Sequence, residues 1–215
     1  MKYFQVHHRE DLSALFSPEN EGEVITNPAD ARSMINDKIK PDLLVFLGGQ
    51  DLSPFLYGET ICGSSAPHMP TNRDMLEMFV YKRALQFKVP MFGICRGHQF
   101  LSVMNGDSLW QHITHHPQEH HIKFRDGPSI KVPSVHHQMV KATKTSMGIV
   151  LAKSNTGATM YNEFETKHGE EEVESMYYPE TNCLGVQTHP EYTTYDSEIS
   201  TICRELINTN FNLSF

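Results

Sequence analysis

Cys95 stands between Gly93 and Gly97 in the stretch VPMFGICRGHQFLSVMN (89–105), and His189 and Glu191 flank Pro190 in VQTHPEY. These residue types suit covalent acyl transfer. A thiolate attacks a carbonyl, an imidazole carries the proton to the leaving group, and a carboxylate orients the imidazole. G-x-C-x-G is the thiol form of the nucleophile elbow, a sharp strand-to-helix turn that lifts one side chain above a sheet. Its glycines let the backbone turn without a Cβ clash. The helix that follows offers free N–H groups and a positive dipole end, both of which favour a thiolate. Taken singly, each motif also has an ordinary reading: a buried thiol in a turn, and a surface histidine beside a proline.

The elements around these residues follow from the hydrophobic pattern. A short buried strand at 89–92 leads into the elbow, and apolar Phe100, Leu101 and Met104 predict a helix after it. The aliphatic run at 43–47 ends on Gly48-Gly49, the pattern of a buried parallel strand followed by a tight loop. Strands are expected at 3–6 and 23–26, with a helical turn at 11–16 between them. Asn27 as cap and Pro28 at the first helical position open a helix expected to run through Ile39. Met75, Met78, Phe79 and Leu85 have helical spacing within 74–87. Beyond Asn105 the strands shorten (121–124, 129–132, 148–152, 172–177), a buried strand spans 184–188, and a helix over 198–208 turns Ile199, Ile202, Leu206 and Ile207 inward. The segment 155–174 is polar and acidic and reads as an exposed hairpin or insertion. Strand and helix in alternation argue for a doubly wound α/β domain with a parallel sheet. Sites in such sheets form beyond the C-terminal strand ends, where Gly48-Gly49 and Cys95 both fall.

Composition narrows the function classes. The 215 residues carry a net charge of −8 without a basic stripe, which argues against nucleic acid as partner. No apolar run reaches the length that crosses a bilayer, and MKYFQVHHRED lacks the apolar stretch of a secretory leader, so the expected location is the cytoplasm. Cys62, Cys95, Cys183 and Cys203 contain no C-x-x-C pair, which suggests neither a zinc ribbon nor a disulfide framework. Cys62 lies in the loop 49–70, which could border a cleft. The histidines His112, His115, His116, His120 and His121 match neither H-E-x-x-H nor a zinc-finger spacing. No metal and no cofactor are therefore expected, although spacing leaves a site assembled in space open. Trp110, Tyr177 and Tyr178 read as core.

Several segments together resemble one family in its own order: LGGQDLSPFLYGE (47–59), NRDMLE (72–77), GICRGHQFLSVMNGDSLWQHI (93–113), VPSVHHQMV (132–140) and EVESMYYPETNCLGVQTHPEY (172–192). The chain is similar to the class I glutamine amidotransferase superfamily, and most closely to its γ-glutamyl hydrolase branch, peptidase family C26. The resemblance implies a single catalytic domain over 1–215. The implied fold is doubly wound and flavodoxin-like, with a mostly parallel central sheet, flanking helices and a small antiparallel strand addition. It implies Cys95 as nucleophile, His189 as base and Glu191 as its orienter. The backbone N–H groups of Gly49 and Arg96 would form the oxyanion hole, with the Arg96 guanidinium structural. Gln99 would face the glutamyl group, and His136 would either touch substrate or serve structure.

The implied activity is hydrolysis of γ-glutamyl amide bonds through a thioester. The same chemistry in a glutaminase subunit would supply ammonia to a separate synthetase, and an inactive binding protein is a third alternative. Thr188 stands where tryptophan is frequent in the family, and Gln50 where a third glycine is common, so the substrate is less determined than the chemistry. Few basic residues (Lys82, Arg83, Arg96) accompany the candidate segments, which favours a small γ-glutamyl amine or amide over a long polyanion. A homo-oligomer is left open.

Overall fold

The first half of the chain alternates strand and helix: β1 (Lys2–Val6), β2 (Glu21–Ile25), α1 (Pro28–Met34), β3 (Leu43–Phe46), α2 (Asn72–Phe87), β4 (Met91–Ile94) and α3 (Arg96–Met104). The second half is mostly strand: β5 (Ser108–Trp110), β6 (His112–Ile113), β7 (His120–Phe124), β8 (Ser129–Val132), β9 (Met139–Lys141), β10 (Ile149–Ser154), β11 (Thr159–Tyr161), β12 (Thr166–His168), β13 (Glu172–Tyr178) and β14 (Cys183–Val186), closed by α4 (Glu198–Phe211). This computed structural model describes residues 1–143 and 146–213.

Among the described residues the main sheet runs β2-β1-β3-β4-β14-β13-β10-β7-β8, with β9 on β13 and β5 on β9. The strands from β2 to β14 are parallel, and those beyond β14 are antiparallel additions. This is the expected doubly wound sheet with its antiparallel extension. β3, β4 and β14 are buried at every position, as strands covered on both faces must be. Their alternation sorts the core into two layers. Leu44 and Phe46 join residues of α1, α2 and α3, while Leu43, Val45 and Leu47 join Leu12, Leu15 and the α4 residues Ile199, Cys203 and Ile207. Each fully buried Leu or Phe contributes about 1.5–3 kcal/mol.

Local chemistry corrects several boundaries. α1 is capped by Asn27, which accepts from the Ala29 and Asp30 N–H groups, but it ends at Met34 rather than Ile39. Asn36 stops it: its Nδ2 donates to the Arg32 and Ser33 carbonyls while its Oδ1 accepts from the Lys38 and Ile39 N–H groups. A short amide side chain here competes with the helix for backbone partners. α2 begins with a capping box between Thr71 and Asp74. Its inward face is Leu76, Val80, Tyr81 and Ala84, whereas Met75 and Leu85 are exposed. Asp74 and Glu77 are buried with that face because they hold a buried cation, which rotates the helix from the register that hydrophobicity alone predicts.

The segment 155–174 is a hairpin, β11–β12, but not a wholly exposed one. β11 pairs with β6, and Ala158 and Met160 bury against Trp110, Ile113 and Met139 in a small separate core. Glu172 and Glu174 are also fully buried. Trp110 and Tyr178 are core, as expected. None of the described helices is long and apolar enough to cross a membrane.

Candidate active site

The parallel registers Phe46↔Gly93 and Val186↔Ile94 place three consecutive strand ends at one edge of the sheet. Gly48 and Gly49 follow β3, Cys95 follows β4, and Gln187 to Glu191 follow β14. Cys95 sits at φ 50° and ψ −107°, a sparsely populated conformation for a residue with a side chain. Its N–H donates to the Val186 carbonyl at 2.8 Å, and its own carbonyl receives the Gln99 N–H at 3.1 Å, so strand and helix both grip the turn. Gly97 lets α3 pack against β3, since a Cβ there would lie 2.0 Å from the Phe46 carbonyl oxygen.

His189 enters from the neighbouring strand end. Its Nδ1 lies 2.6 Å from Glu191 Oε1, and its ring stacks parallel on Tyr192 at 4.4 Å. Nε2 is the nitrogen left for Cys95. Burial lowers the imidazole's proton affinity, but Cys95 and Glu191 together outweigh it and raise the pKa above the ordinary histidine value. Gly48 makes room for the ring: a Cβ on it would stand 2.9 Å from His189 Cε1.

Cys95, His189, Gly49, Gln99, His137 and Tyr192 line a cavity of about 180 Å³. Beside it, sharing Gly49, His189 and Tyr192, lies a cleft of about 620 Å³ whose wall includes His7, His8, Arg73 and Arg96. A larger cavity of about 770 Å³ lies against β7, β8 and β10 and touches none of these groups. Gly49 has φ 145°, and the Arg73 guanidinium lies over it, donating from Nη2 to the Leu47 carbonyl at 2.8 Å. The Arg96 guanidinium is buried between the carboxylates of Asp74 and Glu77, which leaves its backbone N–H as the part of the residue at the elbow.

Gln99 is buried at the cavity wall, and its Nε2 donates to the Gln138 carbonyl at 3.1 Å and to Gln187 Oε1 at 3.2 Å. Gln187 Nε2 in turn lies 3.5 Å from the Cys95 sulfur. Sequence reasoning missed Gln187, although a glutamine at the end of the aliphatic run CLGV is a signal: a buried amide needs partners. It also missed the pair at the rim formed by His137 Nε2 and Asp51 Oδ2, 2.9 Å apart. Cys62 is directed to the Asn162 carbonyl at 3.5 Å and lines neither cavity, so it does not border the cleft as its loop position suggested.

His136 lines the cavity, but both ring nitrogens have partners elsewhere. Nδ1 faces the Gln138 carbonyl at 2.9 Å and Nε2 faces His116 Nδ1 at 3.1 Å. Of the histidines grouped in sequence, the fold unites His116 and His120 with His136 and Glu174, their ligand atoms within 4.8 Å of one another. His112 instead lies beside Tyr161, and His115 and His121 are exposed.

Known proteins resemble the chain in sequence and in fold. A glutamine amidotransferase-like protein of Lactococcus lactis, YvdE, is 31% identical over 79% of this chain and 75% of its own length. The γ-glutamyl-γ-aminobutyrate hydrolase PuuD of Escherichia coli is 26% identical over 75% of this chain and 68% of its own. A glutamine amidotransferase from Thermotoga maritima superposes with a TM-score of 0.56 at 15% identity, over 98% of this chain and 84% of that one, which is the same fold. The Peptidase C26 family model matches residues 23–191, a span that holds the elbow and the histidine–glutamate pair alike, and the chain belongs to that family.

Proposed function

We propose that the chain is a cysteine hydrolase of γ-glutamyl amide bonds in a small γ-glutamyl amine or amide, acting through a thioester. The observation that carries the reading is the strained Cys95 elbow beside an imidazole already tied to Glu191, both opening on one cavity. Membership of Peptidase C26 supports hydrolysis in family terms, and the hydrolase PuuD among its relatives supports the γ-glutamyl class.

In the first step His189 Nε2 takes the thiol proton and Cys95 Sγ attacks the γ-carbonyl. The N–H groups of Gly49 and Arg96 receive the developing oxyanion, each such donor contributing about 3 kcal/mol. Collapse breaks the C–N bond, and the His189 imidazolium gives its proton to the departing amine. In the second step His189 takes a proton from water as the hydroxide adds to the thioester, the C–S bond breaks to release glutamate, and the imidazolium returns its proton to the Cys95 thiolate. The 180 Å³ cavity suits the glutamyl group, and the adjoining 620 Å³ cleft suits the amine, with room for more than ammonia.

The test is turnover of glutamine, γ-glutamyl-γ-aminobutyrate, γ-glutamyl-putrescine and γ-glutamyl-p-nitroanilide, with Cys95→Ala as control. Cys95-dependent release from a substituted amide, with glutamine poor, is the expected result. Activity confined to glutamine and raised by a partner would instead assign an ammonia-supplying subunit. A folded protein inactive on all four would overturn the reading.

A further inference from the structure

We propose that His116 Nδ1, His120 Nε2, His136 Nε2 and Glu174 Oε1 form a closed structural site for one divalent metal ion of the zinc class. The residues come from four places in the chain: the loop before β7, the first residue of β7, the loop before β9, and β13. Ser154 of β10, the strand between β13 and β7, donates from Oγ to Glu174 Oε1 at 2.7 Å.

The spacing fits. His116 Nδ1 lies 3.1 Å from His136 Nε2 and 3.5 Å from Glu174 Oε1, and His120 Nε2 lies 2.8 Å from Glu174 Oε1. A tetrahedral ion with bonds of about 2.0–2.1 Å needs ligand atoms about 3.4 Å apart. All six separations lie within 4.8 Å, so the wider pairs must close by up to about 1.4 Å to complete a coordination sphere.

The outer partners select the required tautomers. His120 Nδ1 faces the Gln118 carbonyl at 3.1 Å, and His136 Nδ1 faces the Gln138 carbonyl at 2.9 Å. Carbonyls only accept, so both Nδ1 atoms carry a proton, which leaves each Nε2 as the nitrogen that a metal ion would take. His116 Nε2 is turned toward Glu172 Oε2 at 3.5 Å, which leaves its Nδ1 facing the centre. A ligating histidine tied through its other nitrogen to a carbonyl or carboxylate is the usual second layer of a metal site.

Charge points the same way. Glu172 and Glu174 are fully buried, and one divalent ion held by three neutral imidazoles would balance both carboxylates. Four protein ligands leave no position for substrate, so the ion would serve structure. Its target is the loop that carries His136, His137 and Gln138: the Gln138 carbonyl accepts from both His136 and Gln99 at the cavity wall.

The purified full chain, stripped with a chelator and dialysed, is titrated with Zn²⁺ and with Co²⁺. The expected result is one equivalent of Zn²⁺ per chain by elemental analysis and a melting temperature that rises with Zn²⁺. Co²⁺ should give visible bands of tetrahedral intensity without the near-ultraviolet charge-transfer band of a thiolate ligand. His120→Ala and Glu174→Gln should each weaken binding at least about 100-fold. Failure of the folded wild-type chain to bind either ion overturns the proposal. So does a cobalt spectrum with a thiolate band that disappears when Cys95 is alkylated. Because both readings are made on the wild-type chain, they decide the matter even if the variants do not fold.

Discussion

Gln187 Nε2 lies 3.5 Å from the Cys95 sulfur, while Gln187 Oε1 accepts from Gln99 Nε2 at 3.2 Å. One amide thus links the elbow thiol to the helix that follows it, from a third strand end. A hydrogen bond to a charged group contributes about 1.5–3 kcal/mol. Replacing Gln187 with Leu should lower kcat/KM by about 10- to 100-fold at unchanged secondary structure. Steady-state kinetics beside a thermal melt will separate this from a loss of folding.

The Glu191 carboxylate raises the proton affinity of His189, together with Cys95 and against the burial that lowers it. Glu191→Gln removes one of the raising partners, so the imidazolium that would protonate the leaving amine in the proposed reaction is lost at lower pH. The alkaline limb of the rate profile should move to lower pH, with kcat/KM near neutrality reduced by about 10²- to 10⁴-fold. The linked stability has a definite sign. A raised folded pKa stabilises fully below the ordinary value of 6.5, and that contribution disappears as pH rises through the folded value. Denaturant midpoints of the two proteins should therefore converge in alkali.

Arg96 supplies different things through its backbone and its side chain. Its guanidinium is enclosed by Asp74 and Glu77, whose side chains are almost fully buried. Arg96→Met keeps the N–H at the elbow but leaves Asp74 without its cation and Glu77 with Arg73 alone, which should cost about 3 kcal/mol. Denaturant titration will measure that loss. Turnover per folded molecule should fall far less than for Glu191→Gln.

His98 is fully buried on α3, and burial pushes its imidazole down to about 3. Its ring packs over Gly185, where a Cβ would lie 2.3 Å from His98 Nδ1. Below the ordinary value of 6.5 the unfolded chain takes up a proton that the folded chain refuses. Stability present above that pH therefore declines toward pH 3, by about 1.4 kcal/mol per unit. His98→Leu should shift the midpoint of acid unfolding, followed by circular dichroism, to lower pH.

The parts of the molecule legible in the sequence are those set by local rules. The elbow needs its glycines within two residues, His189 and Glu191 need only the turn at Pro190, and β3 and β4 declare themselves as aliphatic runs ending in glycine. The parts that were not legible depend on partners far along the chain. Gln187 acquires meaning only when β14 docks beside β4, and α2 turns Met75 outward because Arg96 draws Asp74 and Glu77 inward. Histidine spacing gave no metal pattern because two of the converging residues lie outside the run 112–121: Glu174 arrives through the pairing of β13 with β10 and of β10 with β7, and His136 on the loop before β9.

The backbone angle at Cys95 has a consequence for evolution. A residue with a side chain at φ 50° and ψ −107° holds about 1–3 kcal/mol of strain, which glycine would not carry. Cys95→Gly should therefore melt at a higher temperature than the wild type while hydrolysing nothing. Selection for stability alone would replace this cysteine with glycine, so keeping it costs the chain that strain.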